Sequence, residues 1–219
     1  MKALKTLLLV AGLAVAASAN AAVTVSNGSY ETYAQDVATF AQSNVLCDLE
    51  SPTLCVSGFS FAFALGNAPG TGLFTGSQSG ITAAPPGDAT QYASVLGPDG
   101  VATLTLASSA LSGISFFMGS PDQYNSVIFR LGNTAVASFD GDQFTGPPAN
   151  GDQSLGERVS FQFNGTAVDN VQFTSTQNSF EFDRVGLAVP EPATWGLMIM
   201  GFGGVGALLR NRRRQVTFA

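Results

Sequence analysis

The sequence predicts an all-β fold, an antiparallel β-sandwich resembling a jelly roll, placed between two terminal signal segments. Five runs of alternating apolar and polar residues carry this prediction: 59–63, 101–106, 127–131, 159–163 and 180–183. Alternation with a period of two puts the apolar side chains on one face of a strand. Gly, Pro, Asn and Asp separate the runs, as turn residues do. Many short strands of this kind, rich in phenylalanine, are typical of two sheets packed around a shared core.

Two local features refine the expected strand order. Asn164-Gly165 lies between two strand-like runs and predicts a two-residue hairpin that sets Phe161 opposite Val168. The apolar residues after Val168 are out of phase with it, so we expect a β-bulge near residues 169–170. One helix is expected, around residues 30–41.

Composition limits the classes of partner. The 219 residues suit one domain with accessory segments, histidine is absent, and charged residues make up 11% of the chain. Between Ala22 and Val189, three arginines face fourteen acidic residues, a net charge of −11. Such a surface repels phosphate backbones, which excludes nucleic acid as a partner. It suits a protein that works outside the cytoplasm or binds divalent cations.

Residues 1–21 have the features of a secretory signal peptide. Lys2 and Lys5 form a positive segment, and a short apolar run follows them. Small residues fit the cleavage rule at two positions, with cleavage expected after Ala21 and Ala19 as the next choice. An uncleaved membrane anchor is the alternative, but the apolar run is short for a span.

The only two cysteines, Cys47 and Cys55, lie eight positions apart. In an exported protein, two cysteines this close in sequence usually pair, so we predict a disulfide. A metal site is the alternative, but two sulfurs without histidine supply too few ligands.

The tail, residues 189–219, has three parts in order. The motif Pro190, Glu191, Pro192 comes first, and an uncharged stretch over residues 193–209 follows it. Its 17 residues reach the lower limit for a transmembrane helix, with Trp195 placed as an interfacial anchor. A basic cluster, expected to stay on the cytoplasmic side, ends the tail: Arg210, Arg212, Arg213 and Arg214. These features alone fit both a permanent membrane anchor and a sorting signal.

The order of these parts closely resembles the PEP-CTERM sorting domain. The match extends through Trp195 and Gly201-Phe202-Gly203 to the arginines, over residues 189–219. Two departures are small: Gly196 stands where the family usually has Ala, and residues 215–219 follow the arginines. Neither departure changes the order of the parts.

The resemblance implies sorting by an exosortase, a membrane cysteine protease or transpeptidase of Gram-negative bacteria that make exopolysaccharide. The family's tails are thought to be removed from an inner-membrane intermediate. The body, residues 22–188, is then expected at the cell surface or outside the cell.

The body has a second resemblance, to a recurring passenger of PEP-CTERM proteins. The matching segments are 115–125 and 173–183, with Met118 in place of a tryptophan and Arg184 in place of an asparagine. The resemblance implies a β-sandwich similar to carbohydrate-binding jelly rolls, but it implies no activity.

Candidate catalytic residues are few. The absence of histidine excludes every histidine-dependent triad, and the expected pairing of the cysteines argues against thiol catalysis. Glu181 and Asp183 share one face of a predicted strand and are conceivable as a glycosidase acid pair. We favour a simpler interpretation, in which both carboxylates face solvent opposite the buried Phe180 and Phe182.

One loop is a candidate metal site. Asp140, Asp142, Asn150 and Asp152 offer the oxygen ligands that Ca²⁺ prefers, although their spacing does not match an EF-hand. The hypothesis is a structural Ca²⁺ held by the three aspartates, and the alternative is that they are solvated turn residues. No other cofactor is indicated.

The predicted function is that of a non-enzymatic surface or extracellular-matrix protein. Tyr92 or Tyr124 can stack on sugar rings, so the body is expected to bind extracellular polysaccharide, although it contains no tryptophan. Two alternatives stay open. The first is a secreted carbohydrate-active hydrolase that uses Glu181 and an aspartate, and the second is a permanently membrane-tethered structural protein.

Overall fold

The computed structural model describes residues 22–50, 53–109, 111–119, 122–144, 154, 156–189, 199–204 and 210. Within them the strands are β1 (Thr24–Glu31), β2 (Val45–Cys47), β3 (Ser60–Ala64), β4 (Gly72–Thr75), β5 (Gln91–Leu96), β6 (Gly100–Thr105), β7 (Gly113–Met118), β8 (Asn125–Leu131), β9 (Thr134–Asp140), β10 (Gly156–Gln162), β11 (Asn170–Ser175) and β12 (Asn178–Leu187). The helices are α1 (Tyr33–Thr39) and the short α2 (Gly141–Phe144), with a 3₁₀ turn at Gln42–Asn44.

The described strands form two antiparallel sheets that pack face to face. The seven-stranded sheet has the order β1-β10-β7-β12-β5-β4, with β2 added beside β12. The five-stranded sheet has the order β3-β6-β11-β8-β9. The predicted antiparallel β-sandwich is therefore confirmed, and each of the five alternating runs lies on a strand to within one residue.

Four of the strand pairs are nested along the sequence, so that each pair encloses the pair before it. Strand β8 pairs with β9, β7 with β10, β6 with β11, and β5 with β12. Successive pairs lie alternately in the two sheets, which is the strand order of a jelly roll. Strands β1, β3 and β4 extend the edges.

Phenylalanine rings from both sheets fill the space between them. The rings of Phe173 and Phe182 stack with centroids 4.1 Å apart, and those of Phe129 and Phe161 are 4.9 Å apart. All four side chains are fully buried. Aromatic pairs at such distances stabilise a core beyond the area that they bury, so these contacts join the two sheets.

The predicted hairpin at Asn164-Gly165 is wrong. Both residues adopt positive φ, as a tight turn requires, but the turn joins β10 in one sheet to β11 in the other. Phe161 pairs with Val25 and Ile114 rather than with Val168. The predicted bulge is wrong too, because β11 pairs with both neighbours without a register shift.

The predicted helix is confirmed but is shorter than expected. Its first predicted residues belong to β1, and α1 begins after Thr32. Thr32 and Gln35 form a capping box, which satisfies free amide groups at the start of the helix.

The outer face of the seven-stranded sheet is covered. Helix α1 packs on it through the Tyr33 ring, 5.7 Å from the ring of Phe117. Residues 77–84, which we call the strap, cover the part of the face near Glu181. Only 2% of Glu181 and none of Asp183 is exposed. The prediction that these carboxylates face solvent is therefore wrong, because segments distant in sequence cover them.

The sandwich has two ends. The terminal end, where β1 begins and β12 ends, consists of residues 22–23, 56–59, 106–109, 111–112, 132–133, 163–169 and 188–189. The distal end consists of residues 65–71, 97–99, 119, 122–124, 140–144 and 176–177. Among the residues that the structure describes, no helix is both long enough and apolar enough to cross a membrane.

Candidate functional site

A cavity of about 360 Å³ opens where the covered face of the seven-stranded sheet meets the distal end. The strap forms one wall, and the start of β12 with the β7–β8 loop forms the other. Side chains with hydroxyl or amide groups make up much of its lining: Ser77, Gln78, Ser79, Thr82, Asn178 and Ser179. Pockets for apolar ligands have mostly hydrophobic linings, so this pocket suits a ligand rich in hydroxyl groups.

Glu181 lies in this pocket and holds the strap to the sheet. Its Oε1 accepts hydrogen bonds from Thr82 Oγ1 at 3.0 Å, from the Ala83 amide at 2.9 Å and from the Ser179 hydroxyl. Burial raises the pKa of Glu181 although these hydrogen bonds act against the rise. The carboxyl group is therefore an anchor with its Oε1 already engaged.

Further contacts fix the shape of the strap. Thr82 Oγ1 lies 2.8 Å from Ser94 Oγ and 3.3 Å from the Tyr92 hydroxyl. Within the strap, the amide of Gln78 donates to the Thr82 carbonyl, and the amide of Thr82 donates back to the Gln78 carbonyl. The strap is therefore a closed turn, and its polar side chains keep a fixed position over β12.

Tyr124 and Asp122 form the opposite wall. The Tyr124 hydroxyl lies 2.7 Å from Asp122 Oδ2 and 3.2 Å from the Asn178 carbonyl oxygen, so it can donate to either. Burial and the neighbouring Asp122 raise the pKa of Tyr124, which keeps the hydroxyl protonated. The pocket therefore combines an aromatic ring, a hydroxyl donor and two carboxyl groups.

A second polar cluster lies under α1 and leaves little room for a ligand. Asp36 is fully buried and accepts hydrogen bonds from Arg158 at 2.5 and 2.8 Å and from Arg184 Nε at 3.0 Å. The Arg158 guanidinium also lies 3.6 Å from the centre of the Phe40 ring. These groups satisfy one another, so the cluster attaches the helix rather than binding a substrate.

A shallower groove of about 420 Å³ lies on the open face of the five-stranded sheet. Arg130 crosses it, with Nε donating to Gln172 Oε1 at 2.7 Å and a terminal nitrogen donating to the Asn133 carbonyl at 3.0 Å. The groove lies at the surface without a covering segment, so we regard the strap pocket as the better candidate site.

The predicted disulfide between Cys47 and Cys55 is confirmed. Two acidic side chains of the loop that it closes contact neighbouring elements. Asp48 lies 3.4 Å from Arg184, and Glu50 accepts a hydrogen bond from the Gln91 amide at 3.0 Å. The loop is thus fixed against β5 and β12.

The predicted calcium ligands fall partly outside the described residues. Asp140 Oδ1 accepts a hydrogen bond from Ser126 Oγ at 2.7 Å, and Asp142 is exposed in α2. Asp152 lies outside the described residues, so the structure leaves the calcium hypothesis a prediction. Among the residues that are described, no group of three or more Cys, Asp or Glu side chains is arranged to hold a metal ion.

The predicted residues of the two signals also fall largely outside the description. This applies to the leader, residues 1–21, and to most of the tail: Pro190, Glu191, Pro192, Trp195, Arg212, Arg213 and Arg214. Of the described residues of the tail, 199–204 and Arg210 are helical and Val189 is not.

Sequence reasoning singled out Glu181 and Tyr124 separately but missed their partners Thr82 and Asp122. Its other candidate for stacking on sugars, Tyr92, is fully buried, so that prediction is wrong. No local pattern brings Thr82 to Glu181, because 99 positions separate them. One signal was available: residues 113–118 are nearly all apolar, and such a run is typical of a strand buried on both faces. Such a run indicates that another segment of the protein must cover the outer face of this sheet.

Comparison with known proteins identifies the tail. Residues 188–214 match the family model of the PEP-CTERM protein-sorting motif. No curated protein and no solved structure matches the chain. Such motifs are recognised by exosortase, a membrane protein of Gram-negative bacteria, so the match indicates an exported protein sorted to the cell envelope or surface.

Proposed function

We propose that this chain, a protein with a PEP-CTERM sorting domain, is a surface or extracellular-matrix protein whose sandwich binds exopolysaccharide without cleaving it. In this proposal, exosortase recognises Pro190-Glu191-Pro192 in a membrane-bound intermediate. It removes the tail that follows and leaves the body outside the cell. The strap pocket is the binding site.

The lining of the strap pocket is the observation that carries the binding proposal. Sugars present hydroxyl groups in many directions, and each buried hydroxyl needs a hydrogen-bond partner. Within one cavity, the strap and the start of β12 offer hydroxyl and amide groups that both donate and accept. Polar groups fixed in advance lose little entropy on binding, and the hydrogen bonds of the strap fix them.

Tyr124 supplies an apolar surface in this polar setting. Its ring can cover the carbon face of a sugar while its hydroxyl remains a donor. We therefore assign Tyr124 the stacking role, and we assign Asn178 and Gln78 the role of binding sugar hydroxyls.

The carboxyl groups favour one alternative, a glycan hydrolase. Asp122 and Glu181 line the same pocket, and burial raises the pKa of Glu181, as in a catalytic acid. We rank this second because Oε1 of Glu181 already accepts three hydrogen bonds that hold the strap.

Tyr124→Leu, with Tyr30→Leu as its matched control, tests the binding proposal. Tyr30 is 57% exposed on β1 and lies outside the pocket. The full-length exported protein is purified and measured for retention on exopolysaccharide from its own cells. We expect Tyr124→Leu to weaken binding about three- to tenfold, as the loss of one aromatic contact would. The control should bind like the wild type.

Equal binding by wild type and Tyr124→Leu would contradict the assignment of the pocket, and no retention at all would contradict polysaccharide binding. The same samples are assayed for new reducing ends. Release that disappears in Glu181→Gln would replace the binding proposal with the hydrolase.

A further inference from the structure

Both ends of the body's chain emerge at the terminal end of the sandwich. Ala22, which follows the predicted leader, accepts a hydrogen bond from Asn164 Nδ2 at 2.9 Å. At the other end of the chain, the amide of Ala188 donates to the Gly113 carbonyl at 3.3 Å. The sorting motif begins two residues later, at Pro190.

This spacing limits how far the motif can lie from the folded body. Each residue extends a chain by at most about 3.6 Å, so the Cα of Pro190 lies within about 7 Å of that of Ala188. Exosortase is a membrane protein, and the motif must reach it. The terminal end must therefore come close to the membrane whenever the motif is read.

The two ends differ sharply in charge. The described segments that form the terminal end contain one charged residue, Asp169, whose carboxylate accepts hydrogen bonds from the Gly132 amide and the Asn170 side chain, each at 2.8 Å. The body as a whole has a net charge of −11 from three arginines and fourteen acids. The distal end, in contrast, has four acidic residues in its described segments: Asp99, Asp122, Asp140 and Asp142.

Exposed apolar side chains occur at both ends, so they do not distinguish them. Val56 is 50% exposed and Val189 is 44% exposed at the terminal end, and Leu65 is 68% exposed at the distal end. The end of the body that approaches the membrane thus differs from the other in having one acidic residue instead of four.

From these observations we infer that the terminal end faces the lipid headgroups while exosortase reads the motif. Anionic headgroups repel carboxylates within about one Debye length, roughly 8 Å at physiological salt. A body of this charge therefore approaches such a surface most closely with the end that has the fewest acids. The inference rests on sorting by exosortase and not on polysaccharide binding. In this orientation the strap pocket, near the distal end, faces away from the membrane.

Adding charge to the terminal end tests the orientation. The variant Val56→Asp, Ser109→Asp, Ala167→Asp places three carboxylates on three exposed positions of that end. Its matched control, Asn67→Asp, Gln123→Asp, Gln177→Asp, adds the same charge at exposed positions of the distal end. Full-length chains are placed with purified exosortase in vesicles of phosphatidylcholine, with or without phosphatidylglycerol. The rate of tail removal is followed by intact mass.

We expect the terminal-end variant to be processed about tenfold or more slowly in anionic vesicles and near the wild-type rate in neutral ones. The control should follow the wild type in both. A flexible Gly/Ser linker inserted after Val189 should restore the rate of the terminal-end variant, because it removes the limit on distance. A melt of each variant shows whether its body is folded.

Four results would overturn the inference. These are an unprocessed wild type, a terminal-end variant as fast as the wild type, equal slowing of the distal-end control, and equal slowing in neutral vesicles. The last result would mean contact with exosortase itself rather than with lipid.

Discussion

Helix α1 and the strap both cover the outer face of the seven-stranded sheet, and each is attached through one buried carboxyl group. The helix contributes Asp36, which is hydrogen-bonded by Arg158 and Arg184 of the sheet. The strap contributes neutral donors, including the Thr82 hydroxyl, to Glu181 of the sheet. One attachment therefore depends on compensated charge, and the other depends on neutral hydrogen bonds.

This difference explains why one region is closed and the other is a candidate site. Each buried charge needs an opposite charge and hydrogen-bond partners beside it, so protein groups fill the space around Asp36. A carboxyl group that accepts hydrogen bonds from neutral donors does not need charged protein groups around it. The strap can therefore leave a cavity over β12, lined by polar groups that still have room for a ligand.

The largest expected effect is the loss of the charged attachment. Asp36→Asn leaves two buried guanidinium groups, those of Arg158 and Arg184, with one counter-charge fewer. Removing one partner of a buried ion pair typically costs about 3–5 kcal/mol, so we expect a loss of that size in the free energy of unfolding. Urea denaturation of the purified wild type and variant measures it.

Asp48→Asn is the matched control. Its carboxylate also contacts Arg184, at 3.4 Å, but its side chain is 37% exposed. Exposed ion pairs contribute about 0–1 kcal/mol, and the loss should stay in that range. Similar losses in the two variants would mean that burial does not distinguish the two contacts.

The second effect is a decrease in stability as the pH rises. Burial raises the pKa of Asp183, which lies on β12 under α1, to about 8, and burial raises the pKa of Glu157 to about 8 as well. An unfolded carboxyl group has a pKa near 4, so the folded state binds more protons between these values. Stability is therefore highest at or below about pH 4 and is lost as the pH rises through about 8.

For one such group the slope is at most about 1.4 kcal/mol per pH unit, or about 2–3 kcal/mol between pH 5 and pH 7. Urea denaturation at several pH values measures this decrease. Asp183→Asn should flatten the curve, since its amide does not titrate, whereas Asp142→Asn, at an exposed site, should not. Stability that stays constant or rises from pH 5 to pH 8 would contradict the prediction.

Local sequence patterns predicted the strands but not the strand partners. The alternating runs identify strands because a strand that is buried on one face has apolar residues at every second position of its own sequence. Asn164-Gly165 predicted a turn correctly, yet a turn does not specify whether the next strand joins the same sheet. In this fold β10 is already paired on both edges, with β1 and β7, so the chain after the turn must enter the other sheet.

The candidate site was predictable only in part for the same reason. The Cys47–Cys55 disulfide joins residues near in sequence and was found from spacing alone. Glu181 was placed in solvent because the pattern of β12 shows polar residues alternating with Phe180 and Phe182. Its cover comes from the strap, about a hundred positions away, and no local pattern records that contact.

The smallest expected effect comes from neutralising the carboxyl group that holds the strap. Glu181→Gln keeps an Oε1 that can still accept from the Ala83 amide and from the hydroxyls of Thr82 and Ser179. Because burial already disfavours the charge on Glu181, little electrostatic stabilisation is lost. We expect a change within about 1 kcal/mol in urea denaturation near neutral pH, the size of one net hydrogen bond.

Thr82→Val is the companion variant for this prediction. It removes the hydroxyl but leaves Glu181 and Ser94 buried without that partner. Unsatisfied buried polar groups cost about 1–3 kcal/mol, so this change should destabilise the protein more than Glu181→Gln does. A loss of about 3 kcal/mol or more in Glu181→Gln itself would mean that Glu181 is charged and compensated, as Asp36 is. Both attachments would then depend on compensated charge, and the strap pocket would contain a carboxylate with a charged partner.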